Sequence, residues 1–286
     1  MGFLIIALAQ LVHSTEGICT KIFGKRHGDG GMIFSAMLSL FAMVYFVISK
    51  NGGWFFPIEI WFYGFIGCLA YALGFYFTFV AIKNGSYALS ILILSYSGIF
   101  SIAYGLFFLE ETASSLTFIG IALIFISMFF INYIKTNKSE KARVSPKWFF
   151  SIMVALIANG VLGIIIRMQQ IRFENMCTNE FMIISLGGSF LFLLIGGIIK
   201  DAESFGYIVK NGILYAMCGG IANGITNFLI LQSYLFIPIS IASPINAGLK
   251  ILFTVIISVI LFKEKLTKRQ VVGVICGAAG LLLLNV

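Results

Sequence analysis

Charge is scarce in this chain: only 10% of its 286 residues are Asp, Glu, Lys or Arg, against about 25% in a soluble globular domain. That leaves too little polar surface to cover a water-soluble fold of this size. A cytosolic enzyme, a secreted domain and a disordered chain are excluded on this ground. Acidic groups are fewer still, 11 against 19 Lys and Arg. The resulting charge of +8 does not read as a nucleic-acid surface, because the basic residues sit in short loops between apolar runs. Five cysteines form no CxxC pair and point to neither a disulfide framework nor a zinc site; small buried hydrophobes are the expectation. HExxH, paired aspartates and a nucleotide-binding loop are missing too, so no enzyme, metal or cofactor chemistry is expected.

Apolar residues fill the space that charge leaves. They make up 60% of the chain, and mean hydropathy is +1.03. A membrane span needs about 20 mostly apolar residues. Ten such runs are predicted, at about 2–23, 31–49, 60–82, 87–109, 114–133, 148–167, 181–199, 209–231, 237–262 and 270–286. The first lacks a basic leader and carries His13 and Glu16, so it reads as a span and not as a cleaved signal peptide. The fold class expected is an all-α integral membrane protein of ten transmembrane helices, with little of the chain outside the bilayer.

The longest polar stretch, 136–147, falls near the middle and divides the chain into 1–135 and 148–286. An internal repeat supports this cut. A shift of 153 residues places Glu111 on Glu264, Gly120 on Gly273 and Asn132 on Asn285 without a gap. Five spans per half is an odd number, so the halves are predicted to be inverted repeats, as in many secondary transporters. The acidic turns LFFLEE and ILFKEK, each followed by a glycine-bearing helix, resemble the EamA-type members of the drug/metabolite transporter superfamily over essentially the whole chain. The resemblance implies a ten-helix carrier of small organic solutes and maps the family's turn glutamates onto Glu111 and Glu264. In the first copy Thr112 stands where a basic residue is usual.

Orientation follows from the loops. Fifteen of the 19 Lys and Arg fall on the side opposite the N-terminus and three on the other, Lys250 being left within a span. The positive-inside rule makes the richer side cytoplasmic. The 136–147 linker is then inside, and both termini face outside the cytoplasmic membrane.

An ionisable group in hydrocarbon is costly unless it is paired, faces a cavity or works. Glu16 and Lys250 are the two charges read as deep in spans, and His13 shares a helix face with Glu16. Tyr71, Asn223 and Asn246 lie at similar depth, with Asn159 and Asn227. Glu16, Lys250, Asn246, Tyr71, Asn223 and His13 are therefore the expected substrate contacts. The plainer alternative is a structural Glu16–Lys250 pair, with the amides joining helices. Span 3 is rich in aromatics, of which Tyr71 and Phe75 could wall a pocket. Pro238 and Pro244 in span 9 permit a kink beside Lys250, and Gly219, Gly220 and Gly224 are candidate flexible points. The shift also places Ser97 on Lys250.

Together these features predict a secondary transporter of a small polar or zwitterionic, amino-acid-like metabolite, working by alternating access in which the two halves rock, with Glu16 as a candidate proton-coupling group. A carrier of quaternary ammonium or other organic cations is the first alternative. A channel, receptor or membrane enzyme reusing the fold is the second. The expected partners are a small solute and the bilayer, with no nucleic acid; oligomeric state, a monomer included, is left open.

Overall fold

The computed structural model describes residues 2–27, 30–50, 52–108, 115–132, 145–174, 176–202, 205–233, 236, 239–263 and 267–283. Glu111, Glu264, Pro238 and positions 136–144 of the linker lie outside them.

Among the described residues the regular structure is all helix, as apolar segments in a bilayer require if their backbone groups are to be satisfied internally. The helices are α1 (Gly2–His27), α2 (Gly31–Ser49), α3 (Ile58–Asn84), α4 (Tyr87–Ser95), α5 (Gly98–Phe108), α6 (Ser115–Asn132), α7 (Pro146–Arg172), α8 (Thr178–Asp201), α9 (Phe205–Ser233), α10 (Ile239–Leu261) and α11 (Lys268–Leu283). Six of them, α1, α2, α3, α7, α8 and α9, are long and apolar enough to cross a membrane, and shorter apolar stretches lie at Tyr87–Phe100, Gly248–Leu261 and Val271–Gly280.

Local sequence explains where helices start. The Ser145 hydroxyl accepts from the Trp148 amide at 3.2 Å, and Pro146 fills the first turn, where its missing N–H is no loss. The Ser86 hydroxyl likewise caps α4 by accepting from the Leu89 amide. Gly30, in the left-handed region at φ 81°, turns the chain into α2.

Spans 4 and 9 differ in continuity. The segment expected as span 4 is interrupted: three-residue turns, Tyr96 N–H to Ile93 O at 3.0 Å and Ser97 N–H to Leu94 O at 3.1 Å, separate α4 from α5. The run Ser95-Tyr96-Ser97-Gly98 supplies the small residues at which helices commonly bend. By contrast, α10 is one helix from Ile239 through Pro244 to Leu261. The interruption thus sits in a segment, 87–108, that carries no proline.

The two halves of the chain are interleaved. The helix α1 packs along α9 and α10, α2 along α8 and α9, α3 along α7 and α8, and α6 along α11. Gly220 shows how tight this is: a Cβ there would lie 2.4 Å from the Leu38 carbonyl oxygen of α2. The Gly219–Gly224 segment, expected to flex, is therefore a close-packing surface at Gly220. Cys19, Cys68 and Cys177 are buried as small hydrophobes, whereas Cys218 is exposed.

Candidate functional site

One cavity of about 190 Å³ opens between α1, α3, α4, α7, α9 and α10. That is roughly ten times the ~15 Å³ that a single water needs, and room for a small solute. All six residues expected at the site, Glu16, Lys250, Asn246, Tyr71, Asn223 and His13, line it, and so do Asn159 and Asn227.

The helix α1 contributes Gln10, His13, Glu16, Gly17 and Thr20, spaced three and four apart so that they share one face. The Glu16 carboxylate accepts a hydrogen bond from the Asn223 side-chain amide at 3.0 Å, and His13 Nδ1 lies 3.5 Å from the same oxygen. Asn227, one turn beyond, donates to the Asn223 side-chain and backbone oxygens, each at 3.0 Å. An amide pair one turn apart on α9 thus orients the carboxylate.

Lys250 enters from α10, one turn after Asn246. Among the described residues neither a hydrogen bond nor an ion pair reaches its ammonium, and no Glu16–Lys250 pair forms within 4.0 Å. The structural pair weighed as the plainer alternative is therefore not what this structure holds. The two charges line the same space from different helices.

Three features were not anticipated. Gln10 is 2% exposed, donates through Nε2 to the Asn246 side-chain oxygen, and leaves its own side-chain oxygen, Oε1, buried without a partner among the described residues. A buried acceptor left unpaired is unfavourable, so this oxygen is ready for a donor. Its only sequence signal was a polar residue two turns before Glu16. Lys21, read as a loop cation, is buried at 3% exposure, and its Nζ accepts no bond but donates to the Ile82 carbonyl at 2.6 Å and to that of Gly85. It closes the C-terminal carbonyls of α3, the groups a helix leaves unsatisfied. Glu180 is fully buried at the start of α8, paired with Lys50 at 2.6 Å and accepting from the Phe55 amide at 3.2 Å; neither of this pair lines the cavity.

Tyr71 and Ser97 stand differently to the cavity. Tyr71 presents its ring to the cavity, but its hydroxyl donates to the Met182 sulfur at 3.3 Å and is spent there. Ser97, the repeat counterpart of Lys250, does not line the cavity, because the chain breaks at that point. Its neighbour Tyr96 instead shares a 2.5 Å hydrogen bond with Ser127, which donates to the Gly273 carbonyl at 2.5 Å. That chain joins α4 to α6 and α11.

A multi-pass helical membrane protein with a polar cavity shared by both halves has the construction of a membrane transporter. The chain belongs to the EamA-like transporter family, which matches residues 1–133 and again 148–286. Its substrate is accordingly a small molecule and its surroundings a bilayer. One solved crystal structure resembles it with a TM-score of 0.62, over 96% of this chain and 95% of that one, at 12% identity; this is a likeness of fold alone. Among curated proteins none matches in sequence.

Proposed function

We propose that the protein is a secondary transporter of a small zwitterionic, amino-acid-like metabolite across the cytoplasmic membrane. The observation that carries this reading is the pair of opposite charges lining one cavity without binding each other. Lys250 takes the anionic group of the solute. Glu16, with the side-chain oxygen of Gln10, takes its ammonium. An organic cation alone would satisfy Glu16 and leave a like charge, Lys250, facing it.

The rest of the reading follows the sequence. Ten spans in two inverted halves, 1–135 and 148–286 joined by the linker 136–147, put the lysine-rich loops and the linker in the cytoplasm and both termini outside. The two family matches on either side of residues 134–147 support this division. Transport proceeds by alternating access. Because the halves interleave, the moving bodies are mixed groups of helices and not the two sequence halves. Glu16 couples proton movement to transport.

The test is uptake and counterflow in proteoliposomes. A neutral-side-chain amino acid is expected to show saturable uptake, and its N-acetyl and methyl-ester analogues, each missing one charge, to bind at least about tenfold more weakly. Glu16→Gln is expected to abolish uptake driven by a pH gradient while weakening exchange by about tenfold. Equal affinity for the zwitterion and both analogues refutes the reading.

A further inference from the structure

The cavity has two unlike walls. Its charged groups come from α1 and α10, with the amides of α9 beside them, and α1 packs on both α9 and α10. Facing them, α3, α4 and α7 form a second packed group. Its contribution is largely apolar: the Phe75 ring, Ile82, Ile91, Leu94, Leu162 and Ile166. The polar groups there are few and uncharged. Tyr71 directs its hydroxyl to Met182, and the Asn159 amide donates to the Ala155 carbonyl of its own helix at 2.7 Å. Thr78 adds only an uncharged hydroxyl to that wall.

We infer that the solute is a zwitterion with an apolar side chain, laid against the wall of α3, α4 and α7, and that Gly74 sets how large that side chain can be. This rests on the zwitterion reading above. A solute held by both charged ends on the α1–α9–α10 wall has only the other wall left for its remaining atoms. A polar side chain there would give up water for few partners, whereas an apolar one gains by leaving water. Gly74 lines this wall and leaves room for a side chain. A Cβ there would meet only Asn159, Nδ2 at 3.4 Å and Cγ at 4.0 Å. Ordinary contact of that kind leaves the backbone undisturbed, so a side chain at 74 occupies cavity space instead of forcing helices apart. Gly17, on the opposite wall, differs: a Cβ there would run into the Tyr87 hydroxyl.

The experiment measures competition for uptake, with the full chain in proteoliposomes and glycine, alanine, leucine, phenylalanine and glutamine as probes. Leucine is expected to bind at least about tenfold tighter than glycine or glutamine, since a hydrophobic pocket discriminates by roughly that factor for a missing methylene or more. Gly74→Val is expected to lower the leucine-to-alanine affinity ratio by about tenfold, and Gly74→Ala to move it a smaller step the same way. Thermal unfolding of both variants checks that they fold, and Gly74→Ala carries the test if valine is too large. Glutamine binding as well as leucine, or both variants weakening every probe equally, overturns the inference and leaves the zwitterion reading standing. Failure of all five amino acids to bind overturns both.

Discussion

Lys21 and Lys250 both carry an ammonium into the helical bundle, and they are held in opposite ways. Lys21 is buried against the end of α3, where two backbone carbonyls receive it. Lys250 lines a cavity, and among the described residues no partner reaches it. The first arrangement is a helix cap made by a distant side chain: negative partial charge at the C-terminus of α3 meets a fixed cation, and both are satisfied. The second is a charge placed at some expense in a membrane and left open. A buried cation by itself therefore says little about function; what fills its hydrogen-bonding positions separates a fastener from a binding group.

The largest expected effect tests the fastener. Lys21→Met leaves the Ile82 and Gly85 carbonyls without their cation, and a loss of about 3 kcal/mol in folding stability is expected. Thermal unfolding in detergent measures it; a variant as stable as the parent would contradict the cap. Lys250→Met is the opposite case. Removing an open charge is expected to leave stability within about 1 kcal/mol of the parent, or to raise it, while weakening solute binding about 100-fold. If Lys250→Met instead unfolds the protein and Lys21→Met spares it, the assignments are exchanged. The smallest effect sharpens the cavity boundary. Tyr71→Phe removes a hydroxyl that donates only to the Met182 sulfur, so uptake is expected to change by less than about twofold. A tenfold loss would place that hydroxyl on the solute.

Much of this site was legible because a bilayer makes charge conspicuous. Glu16 and Lys250 stand out by cost alone, and depth along a helix brought His13, Asn223 and Asn246 with them. The direction of a side chain was not legible. Tyr71 lies at the right depth, yet only packing against α8 turns its hydroxyl to Met182. Lys21 sits near the end of its apolar run, where a cation usually reaches water, and nothing local reveals that α3 ends beside it. Gln10 carries no charge to mark it. Repeat symmetry pairs Ser97 with Lys250 but does not carry the cavity to it, because matching residues by shift takes no account of a break in one copy. The run Ser95-Tyr96-Ser97-Gly98 interrupts one of them, while Pro244, the more obvious breaker, sits inside a continuous α10.

The interleaving of the two halves has a consequence for how the protein is made. The Glu16 carboxylate meets its Asn223 partner across 207 residues of sequence. At roughly 5–20 residues per second of synthesis, that separation is on the order of 10–40 s. Throughout that interval α1 is already made, with an acidic group whose final partner has not yet left the ribosome. The early helices also lack α7, α8 and α9, against which they finally pack. The first half is therefore not a finished lobe awaiting a second one. It stays an open assembly until the later helices pack against its members, and the cavity is complete only once α10 brings Lys250.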